Sequence, residues 1–221
     1  MAIAYDNSGY MSYNNTTTSW STANYTVTGS NTLLVVTTFF VGTDQTPLTI
    51  SYNGVNLIQA GGAPTHLESN DYTSIWYALG VSGTHTINLT KSIAGSTCFV
   101  SAASYTGVKQ TGQPDAYSSN TSTSGTSIST TITTVADNSW IVASMTADNG
   151  IPSSTSANLS LRVNNGSQSA FFDTNGVIHP AGATAITNNC TGNTAGICIV
   201  GVSFSPATGG AGANGNFLSF M

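Results

Sequence analysis

Side chains that could carry acid–base, nucleophilic or metal chemistry are scarce in this chain. Its 221 residues include eight Asp or Glu, three Lys or Arg, three His and three Cys. Charged residues make up 5% of the chain, whereas they make up about a quarter of an average soluble domain. Acid–base catalysis and metal binding depend on such groups. The composition therefore favours a structural or binding protein over an enzyme.

The histidines are the candidates for a general base near neutral pH. They are His66, His85 and His179. None stands at a recognisable motif spacing from a carboxylate or a nucleophile, and the chain has no G-x-S-x-G elbow. A Ser-His-Asp triad assembles from residues distant in sequence, so it stays open as an alternative. We predict no catalytic residues.

The acidic residues lie mostly in turn-like sequences. Asp137 precedes Asn138, and Asp148 begins an Asp-Asn-Gly run, where Asx side chains cap the local backbone. The segment 173–176, Asp-Thr-Asn-Gly, loosely resembles a calcium loop but lacks the closing Glu and the full ligand set. One Ca²⁺ stays open as an alternative. We predict no glycosidase-type carboxylate pair, no metal site and no cofactor.

The cysteines have no metal-ligand spacing. Cys98 and Cys198 lie in apolar, strand-like runs, where a free Cys behaves as a small hydrophobic residue. Cys190 lies in a loop-like Asn-Asn-Cys-Thr-Gly run. Free thiols are favoured, and a Cys190–Cys198 disulfide stays open.

The cations are too few and too scattered to neutralise a nucleic-acid backbone. They are Lys91, Lys109 and Arg162, whereas nucleic-acid binders cluster Lys and Arg. The first six residues contain neither a basic nor an apolar signal region, and no apolar run approaches about 20 residues. We expect no nucleic-acid partner, no signal peptide and no membrane span.

Strand signals fill the chain, and helical periodicity is absent. Short β-branched or aromatic runs are bounded by Gly, Asn, Asp and Ser. The Asn-Gly pairs at 53–54 and 165–166 predict hairpin turns. The predicted strands lie near 3–6, 20–28, 32–41, 47–53, 55–59, 72–79, 83–90, 97–106, 115–118, 127–135, 139–147, 158–164, 168–173, 182–188 and 196–204. This pattern predicts an all-β, antiparallel β-sandwich with jelly-roll-like connections.

The two series of strands resemble each other. Residues 30–37 (Ser-Asn-Thr-Leu-Leu-Val-Val-Thr) match 137–144 (Asp-Asn-Ser-Trp-Ile-Val-Ala-Ser), and Cys98 and Cys198 are assigned equivalent places. We infer a weak internal duplication with a period of roughly 100 residues. It divides a 1–206 sandwich domain into pseudo-repeats of about 1–109 and 110–206. Because the linker between them is short, we favour one continuous sandwich over two small ones.

The segment 207–221 differs from the rest. A Gly/Ala-rich linker is followed by four large apolar side chains, Phe217, Leu218, Phe220 and Met221. Two interpretations stay open: an anchor that docks on a neighbouring subunit, or a tail that folds back on its own domain. Trp20, in a polar N-terminal region, is a further candidate for surface interaction, with core packing as its alternative.

Several structural motifs carry a family resemblance. They include Ala-Tyr-Asp-Asn-Ser at 4–8, Ile-Ser-Tyr-Asn-Gly-Val at 50–55, Ser-Ile-Trp-Tyr at 74–77 and Val-Ser-Ala-Ala-Ser-Tyr-Thr-Gly-Val at 100–108. In this order the chain resembles the jelly-roll, concanavalin-like β-sandwich domains of tailed-phage virion proteins and bacterial surface proteins. The likeness covers the first half and extends to the second by duplication. It implies a fold and a setting but no catalytic residue.

The expected function is therefore that of a non-enzymatic virion structural protein, a capsid decoration or cement subunit. Its expected partners are other copies of itself, with a trimer as one arrangement, and a major capsid or other virion protein. The expected location is the outer surface of the virion, after synthesis in the host cytoplasm. The alternative is a receptor- or carbohydrate-binding module of a phage tail or cell surface, with a glycan as ligand.

Overall fold

The computed structural model describes residues 1–14, 16–41, 47–62, 65–66, 71–148, 150–154, 158–166, 168–194 and 196–208. Every regular element in these ranges is a β-strand. The same ranges therefore contain no candidate for a membrane-spanning helix. The first half contains β1 (Ala4–Asn14), β2 (Ser19–Val27), β3 (Leu33–Val41), β4 (Pro47–Tyr52), β5 (Val55–Asn56), β6 (Ile58–Gln59), β7 (Thr65–His66), β8 (Asp71–Leu79), β9 (Gly83–Lys91) and β10 (Thr97–Thr106). The second half contains β11 (Ala116–Ser122), β12 (Gly125–Thr133), β13 (Trp140–Asp148), β14 (Ile151–Ser154), β15 (Ser160–Asn164), β16 (Ser169–Asp173), β17 (Ala183–Thr194) and β18 (Gly196–Phe204).

The strands form four antiparallel sheets. The first inner sheet has the order β1-β10-β3-β8-β6, with β7 also on β8, and the first outer sheet has the order β2-β9-β4-β5. The second inner sheet has the order β11-β18-β13-β16-β15, and the second outer sheet has the order β12-β17-β14. The predicted all-β antiparallel sandwich is confirmed. The jelly-roll designation stays a prediction.

The strands of the two halves group into separate sheets, and the division of residues 1–206 into domains stays a prediction. Among the strands the structure describes, none joins a sheet of the other half. In each half the first strand pairs with the last, β1 with β10 and β11 with β18. This pairing closes each half on itself, so the chain builds two sandwiches rather than interleaving its strands in one.

Three apolar cores hold the four sheets in a stack. One core fills each sandwich between its inner and outer sheets, and a third joins the two inner sheets. In β3, Leu34 and Val36 face the outer sheet, whereas Leu33 and Val35 face the other sandwich. A strand buried on both faces reads as a continuous apolar run, which explains the uninterrupted Leu-Leu-Val-Val of β3. Burial alternates along β12, as expected of an outer strand with one face in water.

The order of strands repeats between the halves. β1, β10, β3 and β8 neighbour one another as β11, β18, β13 and β16 do, and β2, β9 and β4 match β12, β17 and β14. The turns before β3 and β13 repeat as well, because Asn31 and Asn138 both have a positive φ, 49° and 64°. Asn tolerates this left-handed conformation better than most residues, so the repeated Asn has a local cause.

The register corrects one predicted equivalence. Cys98 lies opposite Phe40, the eighth residue of β3, whereas Ile197 lies opposite Ala147, the eighth residue of β13. Ile197, not Cys198, therefore holds the place of Cys98. A shift of one residue in a strand moves a side chain to the opposite face. The sequences around the two cysteines are so similar that they gave no sign of this shift of one residue.

The ends of the two halves are joined by backbone hydrogen bonds. The Lys109 amide donates to the carbonyl of Ser205 (3.0 Å), and the Ala207 amide donates to the carbonyl of Gly107 (2.7 Å). The Met1 ammonium donates to the carbonyl of Ala207 (2.7 Å). The N-terminus, the linker between the sandwiches and the start of the C-terminal segment thus meet at one place.

Candidate functional site

Asp6 and Asp115 hold equivalent places, where each caps the end of an outer strand. Asp6 accepts hydrogen bonds from the amide of Thr28 (2.9 Å) and the hydroxyl of Ser104 (2.7 Å). Asp115 accepts from the amide of Val135, 3.3 Å away. Burial alone would raise the pKa of Asp6, but the bonds from Thr28 and Ser104 outweigh it and hold the pKa below its ordinary value. Both carboxylates therefore act as structural hydrogen-bond acceptors.

Lys91 is buried at the end of the first sandwich. Its ammonium donates to the backbone carbonyls of Ser96 and Asn14 and lies 5.4 Å from the centre of the Trp20 ring. Burial lowers its pKa. The cation therefore joins the turn before β2 to the turn before β10 and presents no charge to a partner.

Arg162 and Asp173 form a charged cluster against the other sandwich. The Arg162 Nε lies 2.7 Å from Asp173 Oδ2, and the Tyr105 hydroxyl donates to the same oxygen at 2.9 Å. The Arg162 Nη2 donates to the side chain of Asn175 (2.6 Å), and its guanidinium stacks on the Tyr5 ring at 4.0 Å. Asp173 is fully buried. The cluster joins β15 and β16 of the second sandwich to β1 and β10 of the first.

The pKa values of Tyr105 and Arg162 in this cluster are both raised. Burial, reinforced by the Asp173 charge, raises the pKa of Tyr105 well above its ordinary value. Burial alone would lower the pKa of Arg162, but the hydrogen bond to Asp173 raises it. Tyr105 is therefore neutral and Arg162 charged across the ordinary pH range, as a fixed structural contact requires.

The calcium alternative at 173–176 finds no support in this geometry. One carboxylate oxygen of Asp173 accepts from Arg162 and Tyr105, and the other accepts from the amide of Asn175 at 2.8 Å. A guanidinium already neutralises this carboxylate. Within the ranges given above, no group of three His, Cys, Asp or Glu side chains could hold a metal ion.

The described histidine side chains lie next to an aromatic ring and a carboxylate. His85 packs edge-on against the Tyr52 ring, with centroids 5.4 Å apart. The Nδ1 of His179 lies 3.5 Å from Asp137 Oδ2 in an exposed pair. The His66 side chain lies outside the described atoms. All three cysteines are buried, and the structure shows no Cys190–Cys198 disulfide.

The contact between the two sandwiches is reciprocal. Tyr105 and Phe204 hold equivalent places on β10 and β18, opposite the first residues of β3 and β13. Tyr77 and Asp173 are likewise equivalent on β8 and β16, opposite the third residues of those strands. Tyr77 contacts Phe204, with ring centroids 5.6 Å apart, and Asp173 contacts Tyr105. The halves thus meet across an approximate two-fold axis, in the manner of an isologous dimer.

The solvent faces of both outer sheets carry uncharged hydroxyl groups, and in the first outer sheet the Ser21 hydroxyl also donates to the Asn88 side-chain amide oxygen (2.6 Å). Cross-strand hydrogen bonds join Thr26 to Thr84 (2.9 Å) and Thr49 to Thr90 (2.9 Å) in the first outer sheet. Ser129 bonds Thr187 (2.6 Å) in the second. These faces therefore offer a neutral, polar surface on both sides of the stack.

A cleft of about 320 Å³ opens beside the first sandwich. Val55 and Ile58 form one rim, and 44% and 58% of their respective surfaces are exposed. Tyr77 to Leu79 of β8 form its floor, and residues 110–113 of the linker form the other rim. No charged side chain lines it. The Tyr77 hydroxyl donates to the carbonyl of Gln113 (2.6 Å), which holds the linker against β8.

Sequence reasoning missed this cleft. Its signal is the pair of apolar residues Val55 and Ile58 beside the Asn-Gly hairpin, where short flanking strands leave them uncovered. The opposite rim is the linker, and no strand pattern predicts that this linker folds back on β8. The rim and the floor are 19 or more residues apart in the chain, so only the fold brings them together.

Trp20 is only partly exposed. Its indole N–H donates to the Ser12 hydroxyl (3.2 Å), one side of the ring contacts the first sandwich core, and the Lys91 ammonium lies over the ring. The predicted interaction residues of the C-terminal segment 207–221 (the arm) lie outside the described residues; they are Phe217, Leu218, Phe220 and Met221.

Comparisons with known proteins give no relative. No protein-family model, no curated protein and no solved structure matches this chain. The resemblance to phage virion domains therefore depends on the motifs quoted above.

Proposed function

We propose that this protein is a non-catalytic structural subunit of a virion surface, a capsid decoration protein whose C-terminal arm ties subunits together. The alternative of a receptor- or carbohydrate-binding module has less support, because Trp20 is engaged by Ser12 and Lys91. The proposal depends on three features: structural use of charge, neutral outer faces and an apolar arm.

The observation that carries the proposal is how five of the ionisable groups in the described residues are used. Asp6, Asp115 and Asp173 accept hydrogen bonds from the framework, and Lys91 and Arg162 are bound within it. A catalytic site needs at least one such group directed at a substrate. Ionisable groups that are held in structural hydrogen bonds and ion pairs suit a stable protein that functions by contacting its neighbours.

The outer sheets suit a subunit that lies at a particle surface. Neutral hydroxyl groups bond one another across strands in both outer sheets. Few surface charges also mean that contacts with neighbours depend little on salt, because screening acts on charge pairs.

The arm supplies the contact energy. Phe217, Leu218, Phe220 and Met221 follow a Gly/Ala-rich spacer, and burying each would contribute about 1.5–3 kcal/mol. Binding that occurs only in the assembled state stabilises a shell by mass action. We expect copies of the chain to associate through this segment.

Two experiments test the proposal. In purified particles that carry this chain, gold-labelled antibody should bind the outer surface, and deletion of its gene should lower the temperature at which the particles release DNA. Particles that lack the chain but show unchanged release would contradict a decoration role. Binding on a glycan array that is lost in the Trp20→Ala variant would favour the carbohydrate-binding alternative.

A further inference from the structure

We propose that the cleft between the Val55–Ile58 rim and linker residues 110–113 receives the C-terminal arm of a second copy of this chain. This inference depends on the proposed function, because it names the surface on which the arm docks. The occupant is the apolar segment Phe217–Met221.

The chemistry of cleft and arm is complementary. The cleft exposes the aliphatic side chains of Val55 and Ile58 and carries no charged group. The arm offers Phe, Leu, Phe and Met, also without charged side chains. The volume of about 320 Å³ lies at the small end of ligand clefts. It therefore suits a few side chains rather than a folded partner.

The place of the last described residues supports this occupant. The Ala207 amide bonds the carbonyl of Gly107, and the same linker reaches the cleft three residues later, at Gln110. Three residues span at most about 11 Å. The arm therefore starts beside the cleft. Residues 209–216, which precede Phe217, span at most about 29 Å when extended.

This nearness permits a symmetric exchange. When two copies meet at the side that carries both the cleft and the start of the arm, each arm needs to cross only the seam between them. An exchange of this kind is isologous and closes as a two-fold dimer. A dimer is thus the expected unit, in place of the trimer suggested by analogy.

The test uses two variants of the full chain and one matched control. The cleft variant is Ile58→Asn. The control is Ile151→Asn. Ile151 is also an exposed isoleucine (45%), but it lies on β14 in the other sandwich, away from the cleft. The arm variant is Phe217→Ser with Phe220→Ser. Light scattering after size-exclusion chromatography, over a range of concentrations, gives the dimer dissociation constant.

We expect the full chain and Ile151→Asn to dimerise alike, Ile58→Asn to raise the dissociation constant at least tenfold, and the arm variant to be monomeric. Mixing the cleft variant with the arm variant should restore a dimer, because one intact arm then meets one intact cleft. A fluorescent peptide of residues 214–221 should bind the arm variant, and adding Ile58→Asn should abolish that binding.

Three results would overturn the inference. If Ile58→Asn dimerises like the control and the peptide binds regardless, the arm docks elsewhere, and the proposed function survives. If the full chain is monomeric and only the arm variant binds the peptide, the cleft takes its own chain's arm. If the arm variant stays fully dimeric, the arm does not tie subunits, and that part of the proposed function fails as well.

Discussion

The two sandwiches contact each other at equivalent places with different chemistry. From the first half, Tyr77 packs against Phe204 as one aromatic ring on another. From the second half, the equivalent Asp173 accepts a hydrogen bond from Tyr105 and pairs with Arg162. One topological position thus holds an aromatic contact on one side of the approximate two-fold axis and an ionic cluster on the other.

The neighbouring contacts differ in the same way. Arg162 lies at a bulge of β15, where Leu161 and Val163 oppose consecutive residues of β16, and its guanidinium covers the Tyr5 ring. On the first-half side, Gly61 follows β6 and lies against the Tyr117 ring. An extra strand residue re-aims a side chain, whereas a glycine lets a ring approach the backbone.

The comparison shows which features the two halves share. Strand order, the paired Asn turns and the two capping aspartates recur in both halves. The side chains that join the halves do not recur, because each must fit the unlike residue it meets across the axis. The ionic cluster therefore lies on one side of the interface only, and changes on the two sides should have unequal effects.

Asp173→Ala should have the largest effect. It leaves Arg162 without its carboxylate and Tyr105 without its acceptor, and removing one partner of a buried pair costs about 3–5 kcal/mol. We expect the free energy of unfolding, measured in urea, to fall by that amount. A loss below about 1 kcal/mol would show that water satisfies Arg162 and that the cluster contributes little.

A companion variant sharpens this result. Replacing the pair with apolar residues, Arg162→Leu with Asp173→Leu, together with Tyr105→Phe, makes the second contact resemble the first. Because buried ion pairs are often replaceable by well-packed apolar residues, most of the stability lost in Asp173→Ala should return. Failure to recover would show that the cluster stabilises the junction beyond its packing.

Gly61→Ala should have the next largest effect. A Cβ atom at this residue would lie within 2.4 Å of the Tyr117 ring, and its φ of +75° is strained for alanine. Overpacking of this kind costs about 1–3 kcal/mol. Gly54→Ala serves as control, because its φ is similar, +74°, but no atom lies within 4 Å of the added Cβ. Equal melting temperatures for the two variants would contradict a close contact at Tyr117.

Gly201→Ala tests the same idea inside a single core. The equivalent residue in the first half is Ala102, which is buried. At Gly201 an added Cβ would lie 2.3 Å from the Ile132 Cδ1 atom. We expect a loss of about 1 kcal/mol, and Ile132→Val, which removes that methyl group, should restore part of it. No recovery in the double variant, by urea unfolding, would place the strain elsewhere.

The smallest expected effect concerns acid stability. The pKa of Asp6 is lower in the folded chain than its ordinary value of 3.8. Its contribution to stability is therefore complete above the ordinary value and is lost as the pH falls through the folded value. In the Asp6→Asn variant the unfolding free energy should fall less steeply below pH 4. An unchanged slope would contradict the capping role.

The sequence predicts the strands of this fold better than their grouping. The predicted ranges 32–41, 97–106 and 196–204 coincide closely with β3, β10 and β18, because apolar runs bounded by turn residues mark strands buried on both faces. The range 3–6 captures only the start of β1 (Ala4–Asn14), which is polar because it lies at a sheet edge. Strand β14, with Pro152, has no predicted counterpart.

The grouping into two sandwiches depends on contacts that sequence patterns do not encode. Continuous apolar strands are compatible with one thick sandwich or with two that share a central core. The pairing of Arg162 with Asp173 spans a bulge, and its partner Tyr105 lies in the other half. The cleft likewise joins residues 55–58 to the linker at 110–113. The ionic cluster and the cleft both form from residues that are distant in the chain, and local sequence periodicity does not indicate which distant residues meet.

The most direct test of the account is the mass of the full chain in solution, compared with that of the Phe217→Ser, Phe220→Ser variant at equal concentration. Light scattering after size-exclusion chromatography gives both values. A subunit tied by its arm predicts an oligomer for the full chain and a folded monomer for the variant. An identical mass for the two would contradict the account, because the arm would then contribute nothing to assembly.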